Sequence, residues 1–173
     1  MGNVWSWLGL SAPEPQEHSA LRDVISALDR LEPERARHLA RFAYLLGRVA
    51  HADQHVSSKE TAAMEHLVLQ EGGISPDQAM LVVNLAKTSN LLFGGTADFE
   101  VARDFAAHAS YEDKLALARC LFAVAASEDS ISMTEETEIH RILNQLKIQP
   151  ADLTALRVAH RGHLPGLTSP KQQ

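Results

Sequence analysis

Residues 50–60 read Ala-His-Ala-Asp-Gln-His-Val-Ser-Ser-Lys-Glu, and residues 125–135 read Ala-Ala-Ser-Glu-Asp-Ser-Ile-Ser-Met-Thr-Glu. The stretches repeat one pattern at an offset of 75 residues, with similar residues at Asp53 and Glu128, Val56 and Ile131, Ser57 and Ser132, and Glu60 and Glu135. Three apolar pairs ahead of them also match: Ala43 with Ala118, Leu46 with Leu121, and Val49 with Val124. An internal repeat constrains the architecture before any single residue is interpreted. Each copy predicts an apolar helix, a short acidic loop and a second helix that opens with a serine.

The composition indicates a globular protein with an acidic balance. The chain has 173 residues, of which 45% are apolar and 22% charged, and its net charge is −6. Nucleic-acid binding needs a basic face for the phosphates, so we expect no nucleic-acid partner. The single cysteine cannot form an intramolecular disulfide, and no apolar run reaches the roughly 20 residues that span a bilayer. We therefore expect a cytoplasmic protein with neither a secretory signal nor a transmembrane segment.

Helical periodicity runs through almost the whole chain, and strand signals are nearly absent. Start and stop residues predict eight helices, at 17–31, 33–53, 57–72, 75–90, 96–109, 110–127, 132–147 and 150–161. The helix at 75–90 carries the apolar residues Met80, Leu81, Val83 and Leu85, and the helix at 96–109 carries Phe99, Val101, Ala102 and Phe105. Short connections favour antiparallel neighbours. We predict an all-α, single-domain bundle at 17–161 with two hairpin halves (34–72 and 110–147), an apolar N-terminal segment (1–16) and a flexible tail (162–173).

The serine and the glutamate at the start of each second helix form a capping-box pattern. In such a box the serine hydroxyl accepts from a first-turn amide, and the glutamate accepts from the serine amide. Ser57 with Glu60 and Ser132 with Glu135 both fit this pattern. Capping alone therefore explains these four residues, at about 1 kcal/mol for each serine.

The acidic residues of the loops also suggest a metal site. Asp53 and Glu60 flank the first loop, and Glu128 and Glu135 repeat that arrangement in the second. Hard divalent cations are bound by carboxylate and carbonyl oxygens, which favours calcium, magnesium or manganese over zinc. The spacing is too short for the twelve-residue calcium loop of an EF-hand, and its central glycine is missing.

The pattern Ala-x-Ala-Asp-x-x-Val-Ser-x-x-Glu at 50–60 resembles the loop signature of the TerB-like tellurite-resistance family, and 125–135 is similar to that family's second loop. The resemblance covers roughly residues 20–147. It implies a helical bundle of two related halves, a divalent-cation site at the acidic loops and a role in tellurite or other chemical stress, near membrane-associated partners. Carried over residue by residue, it points to Asp53, Glu60, Glu128 and Glu135 as ligands. The chain departs from the family's usual Asp-Gly, having Asp53-Gln54 and Glu128-Asp129 instead, and so lacks the glycine that turns most easily.

Two further binding hypotheses remain open. His51 and His55 lie four residues apart around Asp53, and two histidines with a carboxylate would suit zinc or manganese. Alternatively the module binds a protein partner, and its acids only cap helices. The docking surface would then be an apolar groove or the N-terminal segment with Trp5 and Trp7, which could also attach the protein peripherally to a membrane.

No constellation of catalytic residues supports an enzyme. None of the nine histidines has a glutamate three residues before it, which argues against the Glu-x-x-His spacing of di-iron bundles. Zinc-protease, phosphate-loop and nucleophile-elbow motifs are also missing. Cys120 lies within the apolar stretch 117–124 and is expected to be an inert core residue. The sequence therefore predicts a non-enzymatic module.

Overall fold

A long central helix organises the bundle. This helix, α1, spans Pro33–Ala50. The structure is a computed structural model of the chain, and it describes residues 26–52, 58–71, 74–88, 96–128 and 130–165. The later helices are α2 (Ser58–Glu71), α3 (Pro76–Thr88), α4 (Thr96–His108), α5 (Tyr111–Ala125), α6 (Met133–Leu146) and α7 (Pro150–Ala159). A 3₁₀ turn (Ala126–Glu128) follows α5, and the described residues contain no strand. The predicted all-α fold is confirmed.

Most helices begin and end where the local signals predict. Pro33 is the first residue of α1, and the Glu32 side chain accepts from the Glu34 and Arg35 amides in front of it. A capping box of Ser110 and Asp113 opens α5. Lys147 closes α6 in the left-handed conformation, with φ 57° and ψ 44°. These signals place the helix ends within about three residues of the predicted ones.

The helix boundaries follow the repeat offset. Helices α1 and α5 end at Ala50 and Ala125, while α2 and α6 begin at Ser58 and Met133, so both pairs are 75 residues apart. Buried residues recur at the same offset: Leu46 with Leu121, Val49 with Val124, Met64 with Ile139, and Val68 with Leu143. The sequence repeat is therefore also a repeat of helix position and of burial.

Helix α1 forms the core of the bundle because it is buried on every side beyond its first turns. Every residue from Leu39 to Ala50 is buried, and α1 contacts α3, α4, α5 and α6. Helix α2 lies against α3 and α5, so contacts with the second copy hold the first one together. Cys120 is buried in α5 as predicted, with its sulfur 3.8 Å from the Leu67 carbonyl oxygen.

Two large apolar residues of the helical pattern point outward. Met80 is 62% exposed and Phe99 is 55% exposed, so neither lies on the face that packs against the core. Successive helical residues are about 100° apart, and each of these two lies one residue after the start of the stripe that faces the core. The actual stripes are Ala79, Val82, Val83 and Ala86 on α3, and Asp98, Val101, Ala102 and Phe105 on α4.

The chain after α7 turns back onto the second acidic loop. The Ile131 amide donates to the His163 carbonyl at 2.7 Å, and Leu164 is buried. These two residues belong to the folded domain, although we expected a tail from residue 162. The N-terminal segment with Trp5 and Trp7, and residues 166–173, lie outside the described residues. Across the described helices, none combines the length and the apolar content that a membrane crossing requires.

Candidate functional site

Two buried glutamates mark equivalent positions in the two copies. Glu60 is 3% exposed in the first turn of α2, and Glu135 is 5% exposed in the first turn of α6. The Ser132 amide donates to Glu135 Oε2 at 2.7 Å, and the Glu135 amide donates to Ser132 Oγ at 3.1 Å. The second predicted capping box is therefore confirmed. Ser57, the predicted N-cap of α2 and capping-box partner of Glu60, lies outside the described residues.

The other two predicted ligands are described less fully. Asp53 lies outside the described residues, and Glu128 is described only as the last backbone position of the 3₁₀ turn. Among the described side chains, no three histidines, cysteines, aspartates or glutamates come together in a group that could hold a metal ion. A four-carboxylate site would therefore need the side chains of Asp53 and Glu128 in addition to those of Glu60 and Glu135.

Helix packing places the second loop beside the first turn of α2. Helices α2 and α5 pack together with Leu67 against Cys120, and the 3₁₀ turn that ends α5 also contacts α2. Because Leu67 lies near the end of α2, the turn can reach α2 only if the two helices run antiparallel. The 3₁₀ turn that ends at Glu128 therefore lies towards the end of α2 that carries Glu60.

A cavity of about 520 Å³ lies between described residues that flank the two loops. His51 and Ala52, which precede the first loop, line it together with Met133 and Thr134, which follow the second. The described residues that flank the two acidic loops therefore lie at the same end of the bundle.

One buried oxygen beside the second loop has no hydrogen-bond partner. Ser127 Oγ, in the 3₁₀ turn, is inaccessible to solvent and accepts or donates no hydrogen bond. A buried polar atom left without a partner costs roughly 1–3 kcal/mol, so it calls for an explanation. A hydroxyl oxygen is a hard donor, the type that calcium and magnesium prefer. Ser127 Oγ is therefore a hard donor by type, as the buried Glu60 and Glu135 carboxylates are.

The histidine alternative finds less support in the geometry. His51 is half-buried, and its Nε2 lies 3.1 Å from the Ala86 carbonyl oxygen. Because a carbonyl only accepts, Nε2 carries the proton, and in the neutral ring only Nδ1 can bind a metal. His55 lies outside the described residues.

A buried ion-pair network lies beneath the cavity. The Arg48 side chain is 3% exposed, and its Nε donates to Glu138 Oε1 at 2.6 Å. Its Nη1 donates to the Asp98 carbonyl oxygen at 2.9 Å. The Tyr44 hydroxyl donates to the Asp98 carboxylate at 2.7 Å, and Arg141 pairs with Glu138 from the surface. The network therefore ties α1 to α4 and α6 at the end of the bundle where the loops open.

The network is electrically matched, with Arg48 and Arg141 facing the Asp98 and Glu138 carboxylates. Burial, with the hydrogen bond to Asp98, raises the pKa of Tyr44 well above its usual value, so the hydroxyl stays protonated and keeps donating. The sequence motifs did not point to these residues. The available signal was that Arg48 lies within the largely apolar segment 39–50, because an arginine buried in such a helix must be paired.

Comparisons with known proteins identify the family. The chain matches no curated protein and no solved structure. The family model described as "Tellurite resistance protein TerB" matches residues 41–158, which is more than half of the chain. The match includes both acidic loops and every helix from α2 to α6. The chain therefore belongs to the TerB tellurite-resistance family.

Proposed function

We propose that this TerB-family protein is a non-enzymatic module that binds one divalent cation between its two acidic loops in a chemical stress response. Asp53, Glu60, Glu128 and Glu135 would hold the ion, with calcium, magnesium or manganese preferred to zinc. The bound cation would join the two copies by neutralising carboxylates from both of them.

The burial of Glu60 and Glu135 carries this proposal. An ionised carboxylate is costly to bury unless charge or hydrogen bonds compensate for it. Two such groups at repeat-related positions, with the unpartnered Ser127 oxygen in the adjoining turn, form a set of hard donors at one end of the bundle.

Titration calorimetry with calcium, magnesium, manganese and zinc chlorides would test the proposal. Glu60→Gln and Glu135→Gln remove the charge but keep a carbonyl oxygen that can still accept from a capping amide. Each variant should bind the preferred cation with an affinity at least about tenfold lower, which corresponds to about 1.4 kcal/mol. Their far-ultraviolet circular dichroism should stay close to that of the wild type.

Glu112→Gln is the matched control, because Glu112 is an exposed first-turn glutamate at the opposite end of α5. It should leave cation affinity unchanged. Equal affinities in all three variants would remove Glu60 and Glu135 as ligands. If no cation binds the wild-type protein, the proposal fails, and the alternative is a protein-interaction module whose acids only cap helices.

A further inference from the structure

A second cavity lies between α4 and α6, away from the acidic loops. It has a volume of about 480 Å³ and is lined by Phe99, Arg103, Ala106, Ala107, Asn144, Gln145 and Lys147. Ligand sites for small molecules usually span about 300–1,000 Å³. We call this cavity the α4–α6 groove.

The floor and one wall of the α4–α6 groove are apolar. Ala106 and Ala107 have only methyl groups, so they leave open space between the two helices. Phe99 lies beside them and is 55% exposed. An exposed aromatic ring next to a concave apolar surface is typical of a binding site, since its burial would gain free energy on contact with a hydrocarbon.

The charged residues that line the groove are both cations. The Arg103 guanidinium lies 6.0 Å from the centre of the Phe99 ring, and its Nε is 3.6 Å from Asp104. Lys147 is the other charged lining residue. The protein as a whole has a net charge of −6, so this groove has the opposite sign to its surroundings. Such a pair of cations selects an anionic ligand.

The backbone of Lys147 is costly to maintain. Lys147 adopts φ 57° at the end of α6, and no other non-glycine residue among those described has a positive φ. Glycine is preferred at that position because a side chain disfavours the left-handed conformation. The lysine therefore supplies a charge at the groove where a glycine would give a more favourable backbone.

We propose that the α4–α6 groove binds an amphiphilic carboxylate, a small molecule with a hydrocarbon body and a carboxylate. The hydrocarbon lies on Phe99 and the two alanines, and the carboxylate pairs with Lys147 and Arg103. This site is independent of the cation proposed at the loops.

Titration of the nitrogen-15-labelled full chain with N-octanoylglycine tests this proposal by nuclear magnetic resonance. Undecanoate is a second carboxylate probe of matched length, and decylamine is the cationic control. N-octanoylglycine and undecanoate should both shift the amides of 99–107 and 144–148, because each brings a carboxylate and a hydrocarbon chain. Decylamine should not bind in the groove.

Lys147→Gly and Phe99→Ala should each lower the affinity for N-octanoylglycine at least about fivefold, which corresponds to the loss of one charge pair or one ring contact. Lys147→Gly should do so without loss of stability, which separates binding from folding. Met80→Ala is the matched control, because Met80 is equally exposed but lines a different groove, between α2 and α3, beside the acidic Glu65.

Four outcomes would overturn the proposal. They are no shift at probe concentrations of about 1 mM, shifts confined to α2 and α3, unchanged affinity in Lys147→Gly, and equal binding of decylamine. Groove amides that shift with protein concentration alone would make the groove an interface between two copies, which also contradicts the proposal.

Discussion

Replacing Arg48 by methionine should destabilise the protein far more than replacing an exposed arginine of the same helix. The side chain is almost fully buried and donates to the Glu138 carboxylate and the Asp98 carbonyl. Removing one partner of a buried ion pair costs about 3–5 kcal/mol, because the other charge is left without compensation. In this protein Glu138 keeps Arg141, and the Asp98 carboxylate keeps the Tyr44 hydroxyl. We therefore expect a loss near the lower end, about 3 kcal/mol.

A double-mutant cycle with Glu138→Gln would isolate the pair. Each single variant leaves one charge of the pair buried, whereas the double variant leaves neither. The double variant should therefore lose less stability than the sum of the two single variants, by at least about 1 kcal/mol. The measurement is urea unfolding followed by far-ultraviolet circular dichroism, which gives the free energy of unfolding for each variant.

Arg37→Met is the control for the cycle. Arg37 is also on α1, but its side chain is 39% exposed and pairs with Glu34 one turn away. Such a surface pair contributes about 0.3–0.5 kcal/mol. The reasoning would be refuted if Arg48→Met cost no more than this control, or if the effects of Arg48→Met and Glu138→Gln were additive.

Three further predictions concern stability. Ser132→Ala should lower the free energy of unfolding by about 1 kcal/mol in urea melts, because it removes the cap of α6, while cation affinity measured by calorimetry should not change. Lys147→Gly should raise the free energy of unfolding by up to about 1 kcal/mol, since glycine relieves the left-handed backbone; a lower midpoint in urea would contradict this. Burial beside the Phe42 and Phe105 rings lowers the pKa of His38 below 6.5, an effect that Asp113 opposes and Arg35 and Arg41 reinforce. The native state then binds fewer protons than the unfolded chain, so this contribution is present above pH 6.5 and is lost as the pH falls through the unfolded value towards the lower native pKa. His38→Gln should therefore make the stability difference between about pH 5 and pH 7.5 smaller than in the wild type.

The fold was predictable because its signals are local. Capping residues and a first-turn proline predict three helix starts, at Pro33, Ser110 and Ser132. Each of these residues lies at a helix start in the structure. The repeat offset then related the helices of the two copies to one another. Both kinds of signal depend only on residues close in sequence or on a comparison of the chain with itself.

Burial was harder to predict, because it depends on which helices meet. Met80 and Phe99 are large and apolar, yet α3 and α4 face the core through Ala79, Ala86 and Ala102. Small residues allow neighbouring helices to approach closely, and the larger side chains then point outward. Nothing within a single helix indicates which of two adjacent faces the partner helix will cover.

The candidate site was only partly predictable for the same reason. The acidic loops follow from the repeat. Arg48, by contrast, contacts Asp98 and Glu138, which lie 50 and 90 positions later in the sequence. A carboxylate such as Asp98 gives no sign in sequence that it will meet Tyr44. The placement of Asp53 and of the Glu128 side chain remains a prediction.

The repeat itself separates structural charges from candidate ligands. Four charged residues are buried among those described: Arg41, Arg48, Glu60 and Glu135. The repeat positions of the two arginines are occupied by Ala116 and Ala123, so their ion pairs belong to one copy only. The two glutamates, by contrast, correspond to each other.

Capping alone does not require the burial of these glutamates. Asp113 completes the same kind of capping box at the start of α5 while it remains only half-buried. Glu60 and Glu135 are buried more deeply than Asp113, at the two helix starts that follow the acidic loops. A cation shared by the two copies would give this pairing a role beyond capping, because it would take a carboxylate from each copy. If Glu60→Gln and Glu135→Gln changed the free energy of unfolding by the same amount with and without divalent cations, a shared cation would be ruled out.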